Sequence, residues 1–217
     1  MREIRTPEEC IIDKGLYLAL LNLISQENHD DIIGDKLKCM KLGFLASYPL
    51  FEKRVKAFNL AYFNYDHGPI SKHLYKVWND LEGAEYISFI NKNWVRINEH
   101  GLASAFIEDV LKKNENASIY GQIIATTKNY GGLSTDKIQK LIHEMEVLDL
   151  DSGEIVKIND APECVDFIRV LDDNEACSII NIDQSWIETL ALELNPKNRE
   201  LIATAVSDFD AGRILQK

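Results

Sequence analysis

Between Asp66 and Gly101 the chain carries its most restrictive pattern. Gly68-Pro69 breaks any regular element, because proline fixes φ and lacks an N–H while glycine tolerates left-handed backbone. Ser71 stands where a helix cap belongs, and Leu74, Val77, Trp78 and Leu81 recur at the spacing of one helix face over 71–81. Gly83 suits the end of that helix. Tyr86–Ile90 then reads as a strand, Asn91-Lys92-Asn93 as a turn and Trp94–Ile97 as the returning strand. The corner Asn98-Glu99-His100-Gly101 opens another helix. This order is the layout of a winged helix, and equally of any small α+β unit with one hairpin.

Helices dominate the rest. Thr6-Pro7-Glu8-Glu9 forms a capping box with proline at the first helical position, and the Ile12, Leu16, Leu20, Leu23 and Ile24 spacing continues it. Gln26–Gly34 is polar and reads as a connection. A second helix, about Asp35–Tyr48, interleaves Lys36, Lys38 and Lys41 with apolar residues, and Pro49 is expected to end it. The aromatic run Val55–Tyr65 fits helix or strand. Further helices fall at 102–113, 117–129 and from Ser134 to about Met145. Val147–Asp160 alternates around Asp151-Ser152-Gly153, a hairpin signal. Asp183 caps a helix with Trp186, Ile187, Leu190 and Leu194, and Asn195-Pro196 separates it from a last one. The expected fold is α+β, mainly α: a helical domain with a winged-helix-like helix-hairpin unit (1–146), then an acidic extension with a second hairpin and C-terminal helices (147–217).

The chain has 217 residues and a net charge of −11. Residues 1–35 carry −5, residues 36–130 carry +4 and residues 131–217 carry −10. A basic middle between acidic ends suits either an ordinary surface or an acidic region that meets a basic partner. No apolar run approaches the ~18 residues of a membrane span, and the polar N-terminus is unlike a signal peptide, so a cytoplasmic protein with no membrane partner is expected. Cys10, Cys39, Cys164 and Cys177 are scattered, which fits buried thiols rather than a zinc site.

Catalytic chemistry finds no foothold. The chain has no GxSxG nucleophile elbow. Tyr130-Gly131-Gly132-Leu133-Ser134 is the one phosphate-loop candidate, and it lacks the Walker lysine and spacing. His143-Glu144 resembles half of HExxH, but position 147 is Val. No catalytic residue, metal ligand or cofactor is assigned. Nucleic acid is a competitor: in a winged helix, Lys72, His73, Lys76 and Asn79 would face the major groove, and Lys92, Asn93 and Arg96 would lie on the wing. Lys72, Lys76, Lys92 and Arg96 are therefore the candidate DNA contacts, on one surface.

Ordered motifs extend this reading. Lys36-Leu37 followed by Lys41-Leu42-Gly43-Phe44-Leu45-Ala46, then Tyr65-Asp66-His67-Gly68-Pro69-Ile70-Ser71 with Leu74-Tyr75, resembles the Panacea, or SocA-like, domain over about residues 35–145. Gly132-Leu133-Ser134 with Leu141-Ile142-His143-Glu144 is similar to that family's last helix. Gly43 departs from the family's usual bulky residue, and the acidic extension is additional. Trp186-Ile187-Glu188-Thr189-Leu190, Asn195-Pro196 and Asp208 with Gly212-Arg213 is similar to the toxin-wrapping tail of Phd-type antitoxins.

The resemblance implies an antitoxin of a bacterial or phage toxin–antitoxin pair. Such a protein binds a cognate toxin encoded by a neighbouring gene, with no catalysis of its own. It implies partner contacts through His67, Gly68, Pro69, Ile70 and Tyr75, and through Trp186, Leu190, Asp208, Asp210 and Arg213 of the tail. A winged-helix regulator that binds operator DNA, its own operon included, is the alternative. A homodimer is a further expected assembly.

Overall fold

Thr6 starts the first helix as its sequence requires: its hydroxyl accepts from Glu9 N–H at 3.1 Å, and the Glu9 carboxylate accepts from Thr6 N–H at 2.7 Å. From that cap the computed structural model describes residues 5–210. Its elements in chain order are α1 (Pro7–Asn28), β1 (Ile32–Asp35), α2 (Lys36–Glu52), β2 (Val55–Lys56), β3 (Tyr62–Phe63), α3 (Lys72–Gly83), β4 (Ile87–Ile90), β5 (Trp94–Ile97) and α4 (Gly101–Phe106). They continue with α5 (Ala117–Tyr130), α6 (Thr135–His143), β6 (Glu146–Leu148), β7 (Ile155–Lys157), β8 (Asp166–Ile168), β9 (Ser178–Ile179), α7 (Gln184–Glu193) and α8 (Pro196–Asp210). The fold is α+β, mainly α.

Helix α1 is the central rod. Leu16 to Leu21 are all buried, and α3, α4, α5 and α7 pack around it. The main sheet is antiparallel with order β1-β5-β4. Its first strand lies between α1 and α2, and its other two form the hairpin after α3. The chain order is thus helix, strand, two helices and a hairpin, with residues 53–71 between α2 and α3. Gln26–Gly34 is therefore not a plain connection: α1 runs on to Asn28, and Ile32–Asp35 pairs with β5. The polar stretch before it hid a strand of only four residues, Ile32-Ile33-Gly34-Asp35, whose pairing comes from its distant neighbour, the usual way tertiary context overrides local propensity.

Pro49 does not end α2, which continues to Glu52. Proline cannot donate to the carbonyl four residues back, here that of Leu45. Helix α5 supplies the missing donors: Gln122 Nε2 at 3.1 Å and Thr126 Oγ1 at 3.3 Å both reach the Leu45 oxygen. Gly43, the unusual small residue of α2, makes room for Tyr62. A Cβ there would lie 2.5 Å from the Tyr62 hydroxyl. The ambiguous Val55–Tyr65 stretch is extended and irregular, with two-residue strands at its ends.

Residues from Val147 onward close the same core. Strand β8 pairs with β3 and β9 with β2, while Phe167 is fully buried with its ring 6.4 Å from that of Phe44. Tyr48 Oη accepts from Leu148 N–H at 2.9 Å. The β6–β7 hairpin expected around Asp151-Ser152-Gly153 is present, with Asp149 Oδ1 accepting from the Asp151 and Ser152 amides. Cys39 is buried and Cys10 half-buried, whereas Cys164 and Cys177 are exposed, which corrects the expectation of buried thiols for those two. Among the described residues, no helix is long and apolar enough to cross a membrane.

Candidate partner-binding site

Three separate stretches meet at one buried ammonium. Lys41 sits on α2 between Met40 and Leu42 and is fully buried. Its Nζ donates to the carbonyl of Pro69 at 3.0 Å, and burial pushes its pKa down to about 7. Gly68 lies directly against it: a Cβ added there would stand 3.4 Å from Lys41 Nζ and 3.5 Å from the His143 ring at the end of α6. At φ +82° the glycine is also in the left-handed region that disfavours any side chain. Lys41, Gly68-Pro69 and His143 are thus one cluster, assembled from three stretches far apart in the sequence.

The cluster holds a small hairpin. Phe63 and Ile70 exchange backbone hydrogen bonds at 3.0 and 2.9 Å, and Tyr65 and Gly68 exchange a second pair at 3.3 and 2.6 Å. Asp66 and His67 form the tip, and Tyr65, Asp66 and His67 are exposed. Asn64 clamps the other side, since its Nδ2 donates to the carbonyls of Ala161 and Pro162 at 2.7 and 3.2 Å. A polar recess of about 180 Å³ lies beside the turn, lined by Asn64, Asp66, His143, Asn159 and Glu163 among others. The turn is hydrogen-bonded at its base and displayed at its tip, where Tyr65, Asp66 and His67 are exposed.

The expected contacts divide accordingly. His67 and Tyr75 are exposed, and Tyr75 stands edge-on to Trp78 at 5.2 Å. Gly68 and Pro69 are buried and Ile70 is half-buried, so they shape the turn rather than offer side chains. In the tail, Leu190 is buried against Gly15 and Trp186 packs edge-on to Phe106 at 5.7 Å. Leu190 is a core residue, and Trp186 is half-buried against the core, because α7 packs on α1 with the Trp186 ring against Phe106 of α4. Asp208 is half-buried in α8, the Asp210 side chain lies outside the described positions, and Arg213 lies outside the described residues.

The candidate DNA contacts do not share one surface. Lys72 and Lys76 are exposed on α3, with Lys72 Nζ 5.5 Å from the Phe63 ring centroid, and Lys92 is at the hairpin turn with left-handed backbone. Strand alternation decides Arg96. Phe89 and Val95 pair on the sheet face that meets α3, where Phe89 lies 6.3 Å from Trp78. Arg96 pairs with Ser88 on the opposite face, away from α3.

The lysines interleaved along α2 are structural ties. Lys36 Nζ lies 3.8 Å over the Phe89 ring, and Lys38 Nζ donates to Gly131 O at 2.8 Å. Asn28 Nδ2 reaches that same carbonyl at 3.1 Å, so the Gly131 loop is tied to α1 and α2 through its oxygen. A second buried charge, Asp13 on α1, pairs with Arg5 at 2.6 Å and accepts from Asn59 N–H at 2.6 Å. Burial outweighs the arginine and lifts its carboxyl to about 6. Sequence reasoning missed Lys41, Asn64, Tyr65 and Asp66 as site residues. The signal for Lys41 was there: one charged residue inside the apolar run Met40–Ala46 needs a buried partner. Among the described residues, no group of three His, Cys, Asp or Glu side chains is gathered as for a metal ion. No family model, curated protein or solved structure matches this chain.

Proposed function

We propose that this chain is an antitoxin-like binding protein of the cytoplasm, which neutralises a cognate toxin by direct contact and has no catalysis of its own. One observation carries the reading: a fully buried lysine spends its ammonium on the Pro69 carbonyl and so fixes an exposed Tyr65-Asp66-His67 tip. Burying an ammonium for a single carbonyl is expensive, and it is reasonable where a recognition turn must be held in one shape. The net −10 of residues 131–217 would steer a basic partner toward the molecule. The resemblance to the Panacea family supports the same role.

The test uses the adjacent reading frame, expressed alone and together with this chain. Growth arrest by the neighbour, rescue by this chain, and loss of rescue in a Tyr65→Ala, His67→Ala variant that still folds are the expected results. A harmless neighbour that does not co-purify would sink the proposal.

The helix-then-hairpin order of α3, β4 and β5 favours one second reading, a winged-helix-like operator-binding regulator. Lys72→Ala with Lys76→Ala should then weaken operator binding and lower its salt dependence. A gel shift without retarded DNA at low salt removes that reading.

A further inference from the structure

The recess beside the 65–68 turn is furnished with hydrogen-bond acceptors. Asn64 is only 6% exposed, and its Nδ2 is committed to the carbonyls of Ala161 and Pro162, which fixes the way the amide faces. Its Oδ1 takes no hydrogen bond from the described residues, yet that oxygen keeps access to solvent. Asn64 lines the recess, so the free oxygen opens into it. A buried amide held at its nitrogen and free at its oxygen marks a place for a donor.

The rim asks for that donor to be a cation. Asp66 on the turn and Glu163 ahead of β8 both line the recess and are exposed. Among the described residues the Asp66 carboxylate meets only the His67 ring, at 3.6 Å, and the Glu163 carboxylate has no partner. Lys41 stands behind Gly68 with its ammonium given to the Pro69 carbonyl, and no described lysine or arginine lines the recess.

Size and an aromatic wall narrow the choice further. About 180 Å³ falls short of the ~300 Å³ of a small-molecule site and has room for one long side chain. An amide oxygen and two carboxylates engage the planar fork of a guanidinium more fully than the compact ammonium of lysine. Tyr65, half exposed and also on the lining, offers a ring on which a guanidinium stacks.

We propose that this recess is an arginine site, which takes the guanidinium of one arginine side chain of a protein partner. That the arginine belongs to a protein rests on the binding-protein reading above, whereas the preference for a guanidinium rests on the recess alone.

Titrating the full chain with a capped glycine-arginine-glycine peptide, followed by amide NMR, tests it. The shifts should saturate and centre on Asn64, Asp66, Asn159 and Glu163. The lysine peptide should bind roughly threefold more weakly, and the citrulline peptide, alike in shape but uncharged, roughly tenfold more weakly. Asp66→Asn with Glu163→Gln should weaken the arginine peptide by roughly tenfold and leave the melting temperature unchanged, since both carboxylates are exposed. Equal binding of the arginine and citrulline peptides overturns the proposal. So do shifts that never saturate or that map elsewhere, and so does a double variant that binds like the wild type. Free arginine that binds more than about tenfold tighter than the capped peptide would make the amino acid the ligand, and also overturns it. Toxin capture indifferent to the double variant would overturn the assignment to a partner's arginine. No neighbouring gene product enters the titration, so a harmless neighbour ends the antitoxin reading and leaves the peptide result to stand by itself.

Discussion

Replacing Lys41 with methionine should make the protein more stable in mild acid and less stable in alkali. The Lys41 pKa falls from 10.5 to about 7 on folding, through burial. At about 1.4 kcal/mol per unit, keeping the charge inside costs on the order of 5 kcal/mol below pH 7. Between pH 7 and 10.5 the unfolded chain holds a proton that the folded chain has released, so wild-type stability rises with pH across that window. Methionine is similar in length and removes the titration, but it strands the Pro69 carbonyl at about 1–3 kcal/mol. The variant should therefore gain a few kcal/mol at pH 6. The gap should shrink by about 1.4 kcal/mol per pH unit above 7 and change sign by about pH 10. Urea unfolding of both proteins at pH 6, 7.5, 9 and 10 reads this directly, because every other titrating group is common to the pair. A stability difference that is constant with pH would refute the reasoning, since it would mean that Lys41 titrates alike in both states.

Asp13→Ala should destabilise by about 3–5 kcal/mol in denaturant, because it leaves the Arg5 guanidinium and the Asn59 amide without their acceptor. A loss under 1 kcal/mol would show that water reaches the pair. Asp13 releases its proton at about 6 when folded and near 3.8 when unfolded, so its contribution to stability grows as pH falls from 6 to 4. Asp13→Asn should flatten that part of the wild-type pH profile in the same assay. Gly68→Ala should lower stability by about 1–2 kcal/mol through its left-handed backbone and the crowding of Lys41 and His143. On the antitoxin reading it should also weaken toxin capture in a pull-down more than its stability loss explains. Leu190→Ala should cost about 2–5 kcal/mol in the isolated chain, as for a core leucine. An unchanged melting temperature would return Leu190 to the partner-facing tail.

The periodic elements were legible and the ties between them were not. The capping box at Thr6, the Ser71 cap of α3 and the β4–β5 and β6–β7 hairpins all follow from local chemistry, in which donor, acceptor and period lie within a few residues. Strand β1 was invisible because its partner β5 lies some sixty residues away and its own residues carry no alternation. Pro49 misled for a related reason: the rule that proline ends helices assumes no neighbour will satisfy the freed carbonyl, and α5 does so. In the site, the turn was legible from Gly68-Pro69, but its mooring to Lys41 and Asn64 depends on contacts that no spacing encodes. Trp186 and Leu190 have the spacing of an interaction helix, and period alone cannot say whether the surface they meet belongs to the same chain.

The α2–α5 contact also ties distant positions into a single unit of change. With proline at 49, the Leu45 oxygen depends on Gln122 and Thr126 for its donors, so those polar side chains are necessary only while the proline stays. A chain with alanine at 49 regains the helical N–H, and positions 122 and 126 are then free to become aliphatic. Descendants of this sequence should therefore vary these three sites together, because after a swap at 49 Gln122 and Thr126 keep each other as partners but lose the carbonyl that required them.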